Sequence, residues 1–157
     1  AHDCPVWVHP DDRVLLSDPG RGLSPSMAAS LDQIIGTRVL AEPRRVESYD
    51  SSVAGNCAGL EFSVTDAPGH TPGSVLLGLD SEQGRIVFTG DVLFAGSIGR
   101  IDLPGGDDAS MRRSLREVVR TLPEQAHVLP GHGPFTTVSE ELGKNPFLSD
   151  SYLEVQY

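Results

Sequence analysis

Three short stretches hold the residue types that could do chemistry together. His70 ends Pro68-Gly69-His70, His132 ends Pro130-Gly131-His132, and Asp91 follows Gly90 just beyond the apolar run Ile86-Val87-Phe88. Two imidazoles and a carboxylate form a suitable ligand set for zinc, manganese or iron. Taken singly, each has a plainer reading. A histidine in a Pro-Gly turn is usually a surface or hydrogen-bonded residue, and an aspartate after glycine is usually a turn former or helix cap. What joins the three is placement: each follows an apolar strand and sits beside glycine, which permits close backbone approach. A sheet could bring such strand ends to one edge although the residues lie 21 and 41 positions apart. Spacing alone leaves the metal reading and the plain reading open.

The elements that must position these residues follow from periodicity. Leu60, Phe62 and Val64 alternate with polar residues, as in a half-buried strand running into the first Pro-Gly-His. Val75–Leu79 and Ile86–Phe88 are short apolar runs joined by a polar turn at 80–84, a hairpin or a pair of neighbouring strands. Asp107 or Asp108 caps a helix with Met111, Leu115, Val118, Val119 and Leu122 on one stripe. Arg112, Arg113 and Arg116 lie off that stripe, on an expected solvated face. Ala126–Leu129 is a last strand before the second Pro-Gly-His, and a short helix is expected near 137–142. Earlier in the chain, Val6–Val8 reads as a strand. Ser24, Pro25 and Gly36 frame a helix with Met27, Leu31, Ile34 and Ile35 on one face. Residues 41–59 are poor in apolar side chains and read as irregular. Mixed strands and helices in a single domain, 1–157, predict an α/β or α+β class.

Composition narrows the function. Twelve basic and 22 acidic residues give a net charge of −10, which argues against a nucleic-acid partner. No apolar stretch approaches the length of a membrane span, and none reads as a signal peptide. Cys4 and Cys57 make neither a disulfide framework nor a paired zinc spacing, so a reducing cytoplasm is the expected setting.

Read as whole segments, DAPGHTPGSVLL (66–77), FTGDVLFAGSIGRIDLPGGD (88–107) and VLPGHGPFTTVSEELGKNPFL (128–148) resemble three successive motifs of the metallo-β-lactamase superfamily. Within it they are most similar to glyoxalase II-like (hydroxyacylglutathione hydrolase-like) thioesterases of the short form. The resemblance implies an αββα sandwich with two divalent metal ions along one edge, zinc first, with iron or manganese as alternatives. It implies that His70 binds one ion, that Asp91 bridges both and is the catalytic carboxylate, and that His132 binds the other. Water or hydroxide held between the ions would then attack a thioester of a small-molecule substrate. Ser97 has no base at a recognisable spacing, so no serine nucleophile is expected.

The family's HxHxDH motif is absent from these 157 residues, and His2-Asp3 does not replace it. The chain is therefore expected to be a carboxyl-terminal portion of the sandwich, incomplete on its N-terminal side. Alone it should bind metal weakly and turn over poorly. Two other functions fit the resemblance: a mononuclear iron persulfide dioxygenase-like enzyme, and a truncated scaffold without catalysis. Arg100 in GSIGR is a candidate contact for a substrate carboxylate, with a salt bridge to Asp102 as its alternative. Phe94 is expected to pack under the metal loop, and His9 to be a polar residue at a strand end.

Overall fold

A computed structural model describes residues 4–36, 40–51, 55–57 and 59–154. In chain order its elements begin with β1 (Val6–Val8), two 3₁₀ segments (Pro10–Leu16 and Pro19–Gly22), α1 (Pro25–Ile35), β2 (Val46–Ser48) and β3 (Gly55–Cys57). They continue with β4 (Leu60–Asp66), β5 (Val75–Ser81), β6 (Gly84–Gly90) and the small hairpin of β7 (Leu93–Phe94) and β8 (Ser97–Ile98). The last are α2 (Asp108–Glu117), β9 (His127–Pro130), β10 (Thr136–Thr137), α3 (Val138–Lys144) and α4 (Asp150–Leu153). Among the described residues, no helix is long and apolar enough to cross a membrane.

The main sheet has the order β10-β9-β6-β5-β4-β3. β4 and β6 are each antiparallel to β5, so they run the same way, and β9 is parallel to β6. The carboxyl ends of β4, β6 and β9 therefore emerge on one edge, as the placement of the three chemical residues requires.

Alternation decides what each sheet face covers. Leu76 of β5, Val87 of β6 and Val128 of β9 lie within one buried cluster that also takes in Met111, Leu115, Val119, Val138 and Leu153 from the helical side. Each such side chain contributes about 1.5–3 kcal/mol on burial. The opposite face presents Phe62, Val64, Leu77 and Phe88, which are half-buried; the Phe62 and Phe88 rings lie 6.2 Å apart. Trp7 and Tyr49 stand over part of this face and enclose a mostly apolar cavity of about 290 Å³ with Phe62, Val64 and Leu77.

α2 ties the core to the first Pro-Gly-His turn. Asp107 is its N-cap, accepting from the Ser110 amide at 2.7 Å. The Asp107 amide donates to Gly69 O at 2.9 Å, and the Ser114 hydroxyl to Pro68 O at 2.7 Å. The turn before His70 is thus held on the side of the helix.

Three expectations need correction. α1 has the expected caps, with Ser24 accepting from the Met27 amide and Gly36 left-handed at φ 72°. Its apolar face is nevertheless not a core face: Ala28 is the one buried residue of the helix, and Ile34 is 81% exposed. Within 41–59, β2 and β3 are strands, because backbone pairing of β2 with β1 and of β3 with β4 does not require an apolar pattern. Residues 52–54 and 58 of that stretch lie outside the described residues. Arg112 is buried rather than solvated. Its Nε donates to Asp108 Oδ2 at 2.7 Å, and its guanidinium sits 3.8 Å over the Tyr152 ring. Arg116 reaches the Leu153 carbonyl at 3.0 Å, so two of the three arginines dock α4 on α2, while Arg113 is exposed.

Candidate metal centre

β6 ends at Gly90, and Asp91 turns away from the sheet at the point where β9 delivers Gly131 and His132. The Gly131 amide donates to Gly90 O at 2.8 Å, which locks the two strand ends together. A Cβ on Gly131 would strike Asp91 Oδ1, so only glycine leaves space for the carboxylate here. Gly99 is equally constrained. A side chain there would overlap the Asp91 backbone carbonyl and come within 3.3 Å of His70 Nδ1. Asp91 is consequently walled by backbone from two directions, with its carboxylate directed between the histidines.

Asp91 Oδ2 lies 3.6 Å from His70 Nε2 and 3.9 Å from His132 Nε2. Two ligands about 2.1 Å from one tetrahedral ion stand about 3.4 Å apart, so each pair is within a few tenths of an ångström of a shared-ion geometry. His70 is held in the matching tautomer. Its Nδ1 is 2.8 Å from the Arg100 carbonyl, which can only accept, so the neutral ring carries its proton on Nδ1 and turns the Nε2 lone pair toward Asp91.

The two histidines differ in support. The His70 side chain is 21% exposed and backed by the Gly99–Arg100 segment, whereas His132 is 73% exposed. Among the described residues no hydrogen bond holds the His132 ring; it stacks on Phe94, with centroids 4.4 Å apart and planes at 30°. Phe94, expected to pack under the metal loop, packs on the histidine itself. With His70, Asp91, Ile98, Arg100 and His132 it lines a cavity of about 390 Å³.

Arg100 takes the salt-bridge alternative. Its Nε and Nη2 meet Asp102 Oδ1 and Oδ2, each at 2.7 Å, and this bidentate bond holds the Asp102 carboxyl down at about 2. The pair is solvent-exposed, so it orders the loop more than it stabilises the fold. His9 accepts from the Asp11 amide at the start of the first 3₁₀ segment, in keeping with a polar strand-end role.

The donors fit divalent metal in kind: two imidazole nitrogens and a carboxylate with an open cavity in front. They do not fit it in number. Among the described residues no three His, Cys, Asp or Glu side chains gather around one ion. Instead, two pairs share Asp91, where a catalytic zinc takes three protein ligands.

Sequence reasoning did not find the residues that brace this site. Asp12, in the first 3₁₀ segment, accepts from Thr71 Oγ1 at 2.6 Å and from the Gly73 amide at 3.0 Å, pinning the turn that follows His70. Glu141 and Asn145 of α3 and its C-cap bind the β7–β8 hairpin. The available signal was the spacing of Val138, Glu141 and Asn145, which puts both polar residues on the buried face of α3.

A mixed sheet gathers two histidines and a shared aspartate at one edge, and the sequence matches one family. Residues 1–134 match the model of the Metallo-beta-lactamase superfamily, and the chain belongs to that superfamily. An uncharacterized protein of Mycobacterium tuberculosis is 40% identical over 149 residues, covering 92% of this chain and 65% of that protein. The probable metallo-hydrolase YqgX of Bacillus subtilis is 36% identical over 154 residues, covering 94% of this chain and 65% of its own length. Hydroxyacylglutathione hydrolase GloC of Haemophilus influenzae is 41% identical over 91 residues, 58% of this chain and 42% of that enzyme. Among solved structures, the BLEG-1 B3 metallo-beta-lactamase superposes with a TM-score of 0.73 and TTHA1623, in a di-iron-bound form, with 0.69. Each is 35% identical, and each match covers 92% of this chain and 65% of the other. The chain thus spans just under two thirds of the length of the first two relatives and of both structures.

Proposed function

We propose that this chain supplies part of the dinuclear centre of a metal-dependent thioester hydrolase with glyoxalase II-like chemistry. The observation that carries the proposal is Asp91 Oδ2 lying between His70 Nε2 and His132 Nε2, 3.6 and 3.9 Å away. His70 and Asp91 would hold one divalent ion, and Asp91 and His132 the other. Zinc and iron are the metals proposed, the latter supported by the di-iron form of TTHA1623. Divalent ions there would polarise a scissile carbonyl and acidify water, so the protein needs no side-chain nucleophile.

This chain's own residues then have distinct tasks. Asp91, which among the described residues alone reaches toward both histidines, is the proposed catalytic residue. The Arg100 carbonyl fixes the His70 ring. The Arg100 guanidinium lies at the cavity, and with Nε and Nη2 on Asp102 it has Nη1 to offer a substrate carboxylate. A 2-hydroxyacyl thioester of glutathione fits these features and the name carried by GloC. The likeness to BLEG-1 supports a second reading, β-lactam hydrolysis at the same centre.

The test uses the gene product that carries this chain, loaded with zinc or iron(II). Turnover of the glutathione thioester, lost on chelation and in Asp91→Asn, is the expected result. Turnover that survives both would refute the metal reading, and β-lactam cleavage without thioester cleavage would replace the substrate.

A further inference from the structure

Glu141 is fully buried, yet no cation pairs with it among the described residues. A carboxylate in such a place persists only if its oxygens are hydrogen-bonded. Oε2 accepts from the Gly96 amide at 2.7 Å and from Asn145 Nδ2 at 2.8 Å, and Oε1 lies 2.7 Å from the Thr136 hydroxyl, whose single proton it shares with Glu140 Oε2 at 2.8 Å. Gly96 is in the turn of the β7–β8 hairpin, and Thr136 lies four residues beyond His132. The same Asn145 amide nitrogen stands 3.1 Å from Ser97 O and 3.4 Å from Phe94 O. One buried side chain and its helical neighbour therefore hold the hairpin at both sides of its turn and tie it to the strand that follows His132.

The hairpin matters because Phe94 is on it. The exposed His132 ring is steadied by the Phe94 stack and by no hydrogen bond among the described residues, so the hairpin's position becomes the ring's position. We infer that Glu141, with Asn145, is a positioning residue that sets the His132 imidazole against Asp91 through the β7–β8 hairpin and Phe94. The clamp takes hold of the Gly96 amide in the turn and of the Phe94 and Ser97 carbonyls on either side of it, so it acts on the residue that carries the stacked ring. The functional meaning of this arrangement rests on the proposed metal role of His132; the positioning does not.

The experiment records histidine ring resonances of the metal-free chain by NMR, with parent and variants compared at one fixed pH. Stacking on Phe94 should shift the His132 ring protons upfield, and Phe94→Leu defines the value without the stack. Glu141→Gln preserves size but sets an amide where the Gly96 and Asn145 donors converge; it should lose most of that shift while the His70 signals stay in place. If Glu141→Gln does not fold, Asn145→Ala, which leaves the Gly96 and Thr136 bonds to Glu141, gives the same readout. A folded variant with reduced thermal stability and an unmoved His132 ring would overturn the inference. Zinc titration of the same samples separates the two claims. A displaced ring with affinity about 10–100-fold weaker supports both. A displaced ring with unchanged affinity keeps the positioning and overturns the metal role of His132.

Discussion

Replacing Asp12 should loosen the His70 turn without altering any residue of the proposed centre. The carboxylate receives the Thr71 hydroxyl at 2.6 Å and the Gly73 amide at 3.0 Å across some 60 residues of chain. Hydrogen bonds to a charged group contribute about 1.5–3 kcal/mol each. Asp12 is half-buried, so water recovers part of that, and about 2–3 kcal/mol is the expected cost of Asp12→Ala. Asp12→Asn keeps a carbonyl for the Gly73 amide and should cost about 1 kcal/mol. With a urea m-value of about 2 kcal/mol/M, the midpoint should fall by roughly 1–1.5 M for alanine and about 0.5 M for asparagine. The His70 ring should report the same loosening through its Nδ1 bond to Arg100, seen as a change in the histidine resonances of both variants. Urea unfolding followed by far-UV circular dichroism measures the first effect. Midpoints within about 0.3 M of the parent in both variants, with unmoved His70 signals, would refute the strut.

Two further outcomes follow from the same geometry. Gly99→Ala forces a methyl into the Asp91 carbonyl, and overpacking of this kind costs about 1–3 kcal/mol; thermal unfolding together with zinc titration should show both a lower Tm and weaker binding. Burial, and secondarily the Asp12 charge, raise the Tyr49 hydroxyl above its ordinary 10.0. A raised folded value means that the stability it contributes is complete below about 10 and is lost as pH rises through the folded value, so stability should decline in that alkaline window. Ultraviolet titration of tyrosinate should show a tyrosine that ionises above 10 in the parent and earlier in Asp12→Asn.

The parts legible in the sequence were those written in local chemistry. Ser24 and Gly36 mark the ends of α1, Asp107 caps α2, and alternation along 60–65 gives β4, because caps and periodicity act within a few residues. The gathering of His70, Asp91 and His132 was legible only in part: each follows an apolar strand beside glycine, and it was the resemblance to the metallo-β-lactamase motifs that named the three together. What was not legible depends on distant pairing. Arg112 reads as a surface cation until Tyr152 is seen beneath it, 40 residues on. Asp12 looks like a helix-turn acid until Thr71 and Gly73 are brought against it. Met27 and Ile34 have core spacing yet meet no core, because periodicity says which face is apolar and not what covers it.

β6 has paired neighbours on both sides, β5 and β9, and Asp91 stands at its end. The two histidines come from turns on either side of that strand, each with its own bracing. The centre therefore has a fixed pivot and two separately hung arms. A substitution in the Asp12–Thr71 strut would detune one arm, and a substitution in the Glu141 clamp the other, while the shared carboxylate stays put. In the dinuclear centre proposed above, selection could in this way retune one arm at a time without dismantling the sheet.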